Sequence, residues 1–160
     1  MSQVSQVRLT LAGLRRHPVL LCGPAYADAL ARLEQFFEIE IESGCMPFDP
    51  AALKARLSGK AALIATATCV IDEGMLAGLP YLKAVCKMGA AHDDIDLAAC
   101  TRAGVMATNT PDLGGTDTAR RKMALVAVEN LIAAFGFGRI GGHPKNLLNS
   151  DLRCMLGCCI

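Results

Sequence analysis

Short apolar runs alternate along the chain with stretches of helical periodicity. Val19–Cys22 is apolar throughout and reads as a buried strand, and Gly23-Pro24 turns the chain after it. Tyr26, Leu30, Leu33 and Phe37 recur at helical spacing and give one apolar face. From Phe37 to Ile41 apolar residues alternate with Glu38, Glu40 and Glu42, the pattern of an outer, half-exposed strand. Asp49-Pro50 pairs an N-cap with a proline at the first helical position, and that helix should end near Gly59. Ala61–Thr66 is a third strand, and Asp72 caps a short helix closing near Gly78. Ala84–Met88 is a fourth strand. Asp96 caps a helix ending at Gly104, and Val105–Ala107 is a fifth, very short strand. The longest helix runs from about Asp117 to Phe135 and is apolar almost all round after Lys122, so it should be buried or paired. The tail from Gly136, rich in Gly, Pro and Asn, reads as irregular surface chain.

Five strands separated by helices predict an α/β fold with a doubly wound parallel sheet. The expected order is 2-1-3-4-5, the flavodoxin-like arrangement, in one domain without repeats or linkers. Ligands in such sheets bind beyond the carboxyl ends of the strands. The loops after Cys22, Thr66, Met88 and Ala107 therefore form the expected functional rim.

Composition narrows the function. The 160 residues carry 16 Lys+Arg against 15 Asp+Glu, a net charge of +1, which argues against a nucleic-acid partner. The run from Ala124 to Phe135 is broken by Glu129 and Asn130 and is too short to span a bilayer, so no membrane association is expected. The N-terminus lacks the pattern of a secretion signal, and a cytoplasmic location follows. Eight cysteines contain no CxxC pair. Cys22, Cys45, Cys69, Cys86 and Cys100 lie singly in apolar or small-residue contexts, as small buried hydrophobes do. Cys154, Cys158 and Cys159 sit in the tail. Free thiols in a reducing compartment are expected.

Three motifs invite chemistry. Gly136-Phe-Gly138-Arg-Ile-Gly141 matches the dinucleotide fingerprint G-x-G-x-x-G, but a helical segment precedes it where a strand is required. A helix cap with a glycine-rich turn is the expected role. His92-Asp93-Asp94-Ile95-Asp96 could attract a hard cation, yet carboxylates at a helix start cap its amides, and that reading is preferred. Arg120-Arg121-Lys122 is a solvated first-turn face, set against the helix dipole. His17 and His143, each beside a proline, are expected in exposed loops. The loop after the first strand, Gly23-Pro24-Ala25-Tyr26, lacks the hydroxyls of a flavin phosphate loop. Thr66-Ala67-Thr68 lacks the aspartate of a receiver domain.

The stretch from Leu82 to Pro111 is more specific than any of these. It reads L-K-A-V-C-K-M-G-A-A-H-D-D-I-D and continues through A-G-V-M-A-T-N-T-P. It resembles the D-isomer-specific 2-hydroxyacid dehydrogenases, and Val19 to Leu79 fits the substrate-side half of that family. In the family a whole nucleotide-binding domain follows the N-T-P turn. Here Asn109-Thr110-Pro111-Asp112 passes straight into Leu113-Gly114-Gly115-Thr116. The segments from Ala119 to Met123 and from Val128 to Ala134, with Pro144 to Asn149, resemble the family's last helix and tail. The resemblance implies an isolated substrate, or lid, domain: 1–112 from the family's N-terminal part and 113–160 from its C-terminal part.

By the same resemblance, backbone N–H groups of the loop after the fourth strand hold the substrate carboxylate. They map to Ala90 and Ala91, flanked by Met88 and Gly89, and Thr68 matches a residue on the pocket rim. Backbone amides in a small-residue loop can approach an anion closely. Ala91 stands where the family usually has glycine, and a positive φ there would strain it. The position of the catalytic histidine falls on Asp112 or in the absent segment. No catalytic residue, no bound cofactor and no metal are expected in this chain; the full enzyme would use NAD or NADP. A small 2-oxo or 2-hydroxy acid should bind weakly. A homodimer through the exposed interdomain face around Leu113 and the 117–135 helix is the alternative, with a nucleotide- or flavin-binding protein third.

Overall fold

The computed structural model describes residues 16–43, 49–65, 69–137 and 144–152. Thr68, Cys45, His143, Gly138, Gly141 and the tail cysteines Cys154, Cys158 and Cys159 lie outside them. Five strands alternate with five helices: β1 (His17–Cys22), α1 (Ala27–Glu34), β2 (Phe37–Glu42), α2 (Pro50–Leu57), β3 (Ala62–Ala65), α3 (Glu73–Leu76), β4 (Ala84–Lys87), α4 (Leu97–Arg102), β5 (Met106–Thr108) and α5 (Asp117–Ala134). The strands form one parallel sheet in the order β2-β1-β3-β4-β5, as the sequence predicts. Among the described residues no helix is long and apolar enough to cross a membrane.

The helix starts follow from their caps. Asp49, Asp72 and Asp96 each accept the amide three residues on, from Ala52, Met75 and Ala99 at 2.8–3.0 Å. Thr116 does the same for Ala119 at the head of α5. Phe37 opens β2, as the alternation from Phe37 to Ile41 predicts, and it is buried in the same layer as the apolar face of α1. β5 begins one residue late, because the Val105 amide is taken by the Cys100 carbonyl at 2.8 Å where α4 turns into the strand.

Both faces of the sheet are covered. Leu20, Cys22, Leu63, Ala65, Val85 and Ala107 face α2, α3 and α4. Their neighbours Val19, Leu21, Ala62, Ile64, Ala84 and Cys86 face α1 and α5. Successive strand residues point to opposite faces, so strands buried on both sides are apolar without alternation. In α5, Met123, Ala124, Ala127, Val128, Leu131 and Ile132 are buried, while Arg120, Arg121, Lys122 and Glu129 are exposed. After Lys122 only Glu129 is exposed, so this part of the helix is buried around most of its circumference, as its apolar sequence predicts. Arg121 pairs with Asp117 one turn earlier, which offsets part of the dipole conflict of the basic run.

The two sheet edges are treated differently. On β2, Glu40 and Glu42 pair with Arg56 of α2, and Lys60 also reaches Glu40, holding that carboxyl below the usual carboxylate range by its hydrogen bond. The β5 edge is closed by the tail. Leu148 N–H donates to the Ala107 carbonyl at 2.8 Å, and Leu147 bridges Thr108 antiparallel. The buried Asn149 side chain donates to the Val105 carbonyl (2.7 Å) and accepts from the Ala107 amide (2.9 Å). Residues 144–152 are thus not irregular surface chain: Asn149 and Leu152 are buried parts of the sheet's edge and core. A short polar side chain that imitates a strand carries no apolar signal, which hides it in the sequence.

Candidate functional site

The carboxyl ends of the strands gather Gly23-Pro24 after β1, Met88 to Ala91 after β4, and Asn109-Thr110 after β5. The loop after β4 is positioned from several sides. Met88 N–H still donates to the Ala65 carbonyl at 2.8 Å, the last rung of the β3–β4 ladder. Its side chain packs with Tyr26 and Leu30 into the α1–α5 layer. Gly89 has φ +114°, a conformation that L side chains rarely adopt. Its N–H donates to the hydroxyl of the fully buried Thr110 at 2.8 Å. The Ala90 carbonyl accepts from Asn109 Nδ2 at 2.9 Å and lies 3.1 Å from His92 Nδ1.

These bonds separate the residues drawn from the sequence. The N–H groups of Met88 and Gly89 are engaged. Those of Ala90 and Ala91 have no partner among the described residues, and both residues are exposed at the rim. Successive backbone amides that face solvent can accept an anion. No non-glycine residue among those described has a positive φ, so Ala91 sits without strain where the family usually has glycine. Thr68 lies outside the described residues.

Residues the sequence reading assigned no role hold this loop. Asn130 of α5 donates through Nδ2 to the Asn109 carbonyl (3.1 Å) and to Asn146 Oδ1 (3.2 Å). Asn109 N–H donates to the Asn146 carbonyl at 3.4 Å. The only sequence trace of this network is a recurrence of asparagine, at 109, 130, 146 and 149, which has no spacing to betray it. The acidic run is also used otherwise than expected. Asp96 caps α4, but Asp94 pairs with Lys87 and accepts the Cys69 amide at 3.1 Å instead of capping.

Burial favours the neutral form of the thiols near the rim. Burial pushes Cys22 up to about 12 and Cys69 up to about 11, with neighbouring negative charge adding to both. Asp112, exposed on the turn after Pro111, accepts the Gly114 amide at 2.9 Å.

The glycine-rich segment does not suit a dinucleotide. Gly136, at φ +72°, follows the end of α5. Gly136 N–H donates to the Ala133 carbonyl and Phe137 N–H to the Ile132 carbonyl, each at 3.0 Å. That paired pattern is a Schellman cap, which consumes the first glycine as a helix stop. A phosphate loop needs a strand before it and a helix N-terminus after it; here α5 comes before.

A five-stranded parallel sheet of this order, with its loops gathered beyond the strand ends, is an open α/β domain. The profile of the D-isomer specific 2-hydroxyacid dehydrogenase catalytic domain matches residues 19–149, and the chain belongs to that family. Similar proteins include the glyoxylate reductase of Aeropyrum pernix, 28% identical over 150 residues that cover 88% of this chain and 45% of that protein. The glyoxylate reductase of Thermococcus litoralis is 26% identical, covering 79% and 41%. The chain thus spans less than half the length of these relatives. A crystal structure from Polaromonas sp. JS6 66, assigned as a D-isomer specific 2-hydroxyacid dehydrogenase, NAD-binding, superposes with a TM-score of 0.56 at 28% identity, over 61% of this chain and 31% of that one. The NAD+-bound 3-phosphoglycerate dehydrogenase of Entamoeba histolytica shares the fold, with a TM-score of 0.51 at 18% identity over 61% and 33%.

Proposed function

We propose that the chain is the substrate-side domain of an NAD- or NADP-dependent 2-hydroxyacid dehydrogenase related to the glyoxylate reductases. In this reading the nucleotide-binding domain is absent between Asp112 and Leu113. The domain holds the carboxylate of a small 2-oxo or 2-hydroxy acid through the Ala90 and Ala91 amides. The observation that carries this is the pair of adjacent, unpartnered N–H groups on a loop pinned by Thr110 and Asn109. A catalytic-domain profile that continues across 112–113, and relatives more than twice as long, support the missing middle.

The chain alone does not turn substrate over. Hydride transfer needs a nicotinamide held against the substrate, and the described glycine segment is spent on a helix cap. Binding through half a cleft is weak, with a Kd of about 1 mM or above, equivalent to some ~4 kcal/mol. Among the described residues Cys69, Cys86 and Cys100 are free thiols, which suits a reducing cytoplasm.

Calorimetric titration with NADH and NADPH, beside a turnover assay on glyoxylate and hydroxypyruvate, tests this. The expected result is no cofactor heat and no turnover. Clear cofactor binding overturns the reading. Self-association is the second reading, favoured by Leu113, 44% exposed on the 111–116 turn. Sedimentation giving a monomer at high concentration disposes of it.

A further inference from the structure

The loop that carries Ala90 and Ala91 is closed at its base by an ion pair. β4 ends on Lys87, the chain runs out through Met88 to Asp93, and it returns at Asp94. Lys87 Nζ donates to Asp94 Oδ1, and the two side chains are only 12% and 9% exposed. The other carboxylate oxygen of Asp94 accepts the Cys69 amide at 3.1 Å. Its backbone carbonyl accepts the Ile71 amide, and the Ile71 carbonyl accepts the Asp96 amide, both at 2.8 Å. Ile71 and Ile95 form a parallel bridge between the two segments. Asp94 therefore joins three pieces: the end of β4, the segment after β3, and the return of the anion loop.

A buried ion pair is a poor source of net stability, because desolvation offsets most of the attraction. Its geometric effect is larger. Pinning both ends of a loop removes most of its conformational freedom, and a binding group is useful only when held close to its working position. The pair is also neutral overall, so it supplies the loop with shape rather than net charge.

We infer that Lys87 and Asp94 are positioning residues, which preset the Ala90–Ala91 loop and lock it to the segment after β3. This rests on the reading of Ala90 and Ala91 as the carboxylate-binding amides. The two walls of the cleft then respond to a ligand as one unit, although only one of them donates the amides.

The test is an amide-resolved titration of the full chain with oxalate, a dicarboxylate of the expected size. In the unmodified protein the Ala90, Ala91, Cys69 and Ile71 amides shift with one common affinity. The K87M/D94N double variant removes both charges without leaving one unpaired. It is expected to lose about tenfold in affinity, the scale of a slightly misplaced binding group, and to lose the Cys69 response. The amides of Leu131 and Asn149, away from the pair, stay at their original shifts. Lys87→Arg, which keeps the pair, binds within about twofold of the unmodified chain. If the double variant does not fold, hydrogen exchange on the unmodified protein decides. Oxalate then slows exchange at Cys69 and Ile71 together with Ala90 and Ala91, and unchanged exchange at Cys69 overturns the inference. No oxalate response at Ala90 and Ala91 in the unmodified chain sinks the anion reading and this inference with it. A response there that K87M/D94N retains in full overturns the inference alone.

Discussion

Gly89 and Thr110 are bonded to each other twice: the glycine amide donates to the threonine hydroxyl at 2.8 Å, and the threonine amide donates back to the glycine carbonyl at 3.3 Å. The two residues are 21 positions apart and belong to the loops after β4 and β5. Their exchange fixes the base of the candidate anion loop from a neighbouring strand.

Removing the hydroxyl isolates that contribution. Thr110→Val keeps the shape but leaves the Gly89 amide without its acceptor, in a site where Thr110 is fully buried. The expected loss is about 1–3 kcal/mol of stability, the cost of an unmet polar group. Urea unfolding reads it, together with faster hydrogen exchange at Gly89; an unchanged midpoint would show that the hydroxyl bond carries no weight.

Gly89 itself is a conformational requirement. A Cβ there would meet nothing within 4 Å, so space is not the obstacle. Its φ of +114° is. Gly89→Ala is expected to cost about 1–3 kcal/mol, or to shift the loop enough to abolish any oxalate response at Ala90 and Ala91. Thermal unfolding and the amide titration separate the two effects.

Asn149 closes an edge rather than filling a core. Asn149→Ala leaves the Ala107 amide and the Val105 carbonyl without their side-chain partner at once. A loss of about 2–4 kcal/mol is expected. Asn149→Asp, which cannot donate to the Val105 carbonyl, should recover only part of it. Full recovery would contradict the two-bond clamp.

The buried thiols make stability fall with alkali. Burial raises Cys86 and Cys22 to about 12 and Cys69 and Cys100 to about 11, against 9.0 for an unperturbed thiol. Above pH 9 the unfolded chain loses these protons while the folded chain keeps them. Their contribution is therefore full below pH 9 and is lost as pH rises from about 9 to about 12. Unfolding midpoints across that window should decline, less steeply in Cys86→Ala. At pH 8, peptide mass spectrometry should find these four thiols unmodified by iodoacetamide until the protein is unfolded.

Local chemistry was legible where it acts over three or four residues. Asp49, Asp72 and Asp96 read as caps and are caps, and four apolar runs and one alternating run read as strands in the correct order. The amides of Ala90 and Ala91 came from family resemblance, since a small-residue loop has no periodicity of its own. What holds them was hidden. Thr110, Asn130 and Asn149 act across 16 to 44 positions, through single polar groups that ordinary turns also use. Asp94 was masked by its neighbours, because a carboxylate just before a helix reads as a cap until the fold brings Lys87 beneath it.

The clamp at Asn149 also sets a schedule for synthesis. Its partner Ala107 precedes it by 42 residues. At about 5–20 residues per second, a ribosome makes β5 roughly 2–8 s before the residue that finishes its edge. Throughout that interval the nascent sheet carries an uncovered strand, the feature most prone to pairing with another chain. Demand for chaperone protection should therefore be greatest while α5 and the tail are still being made.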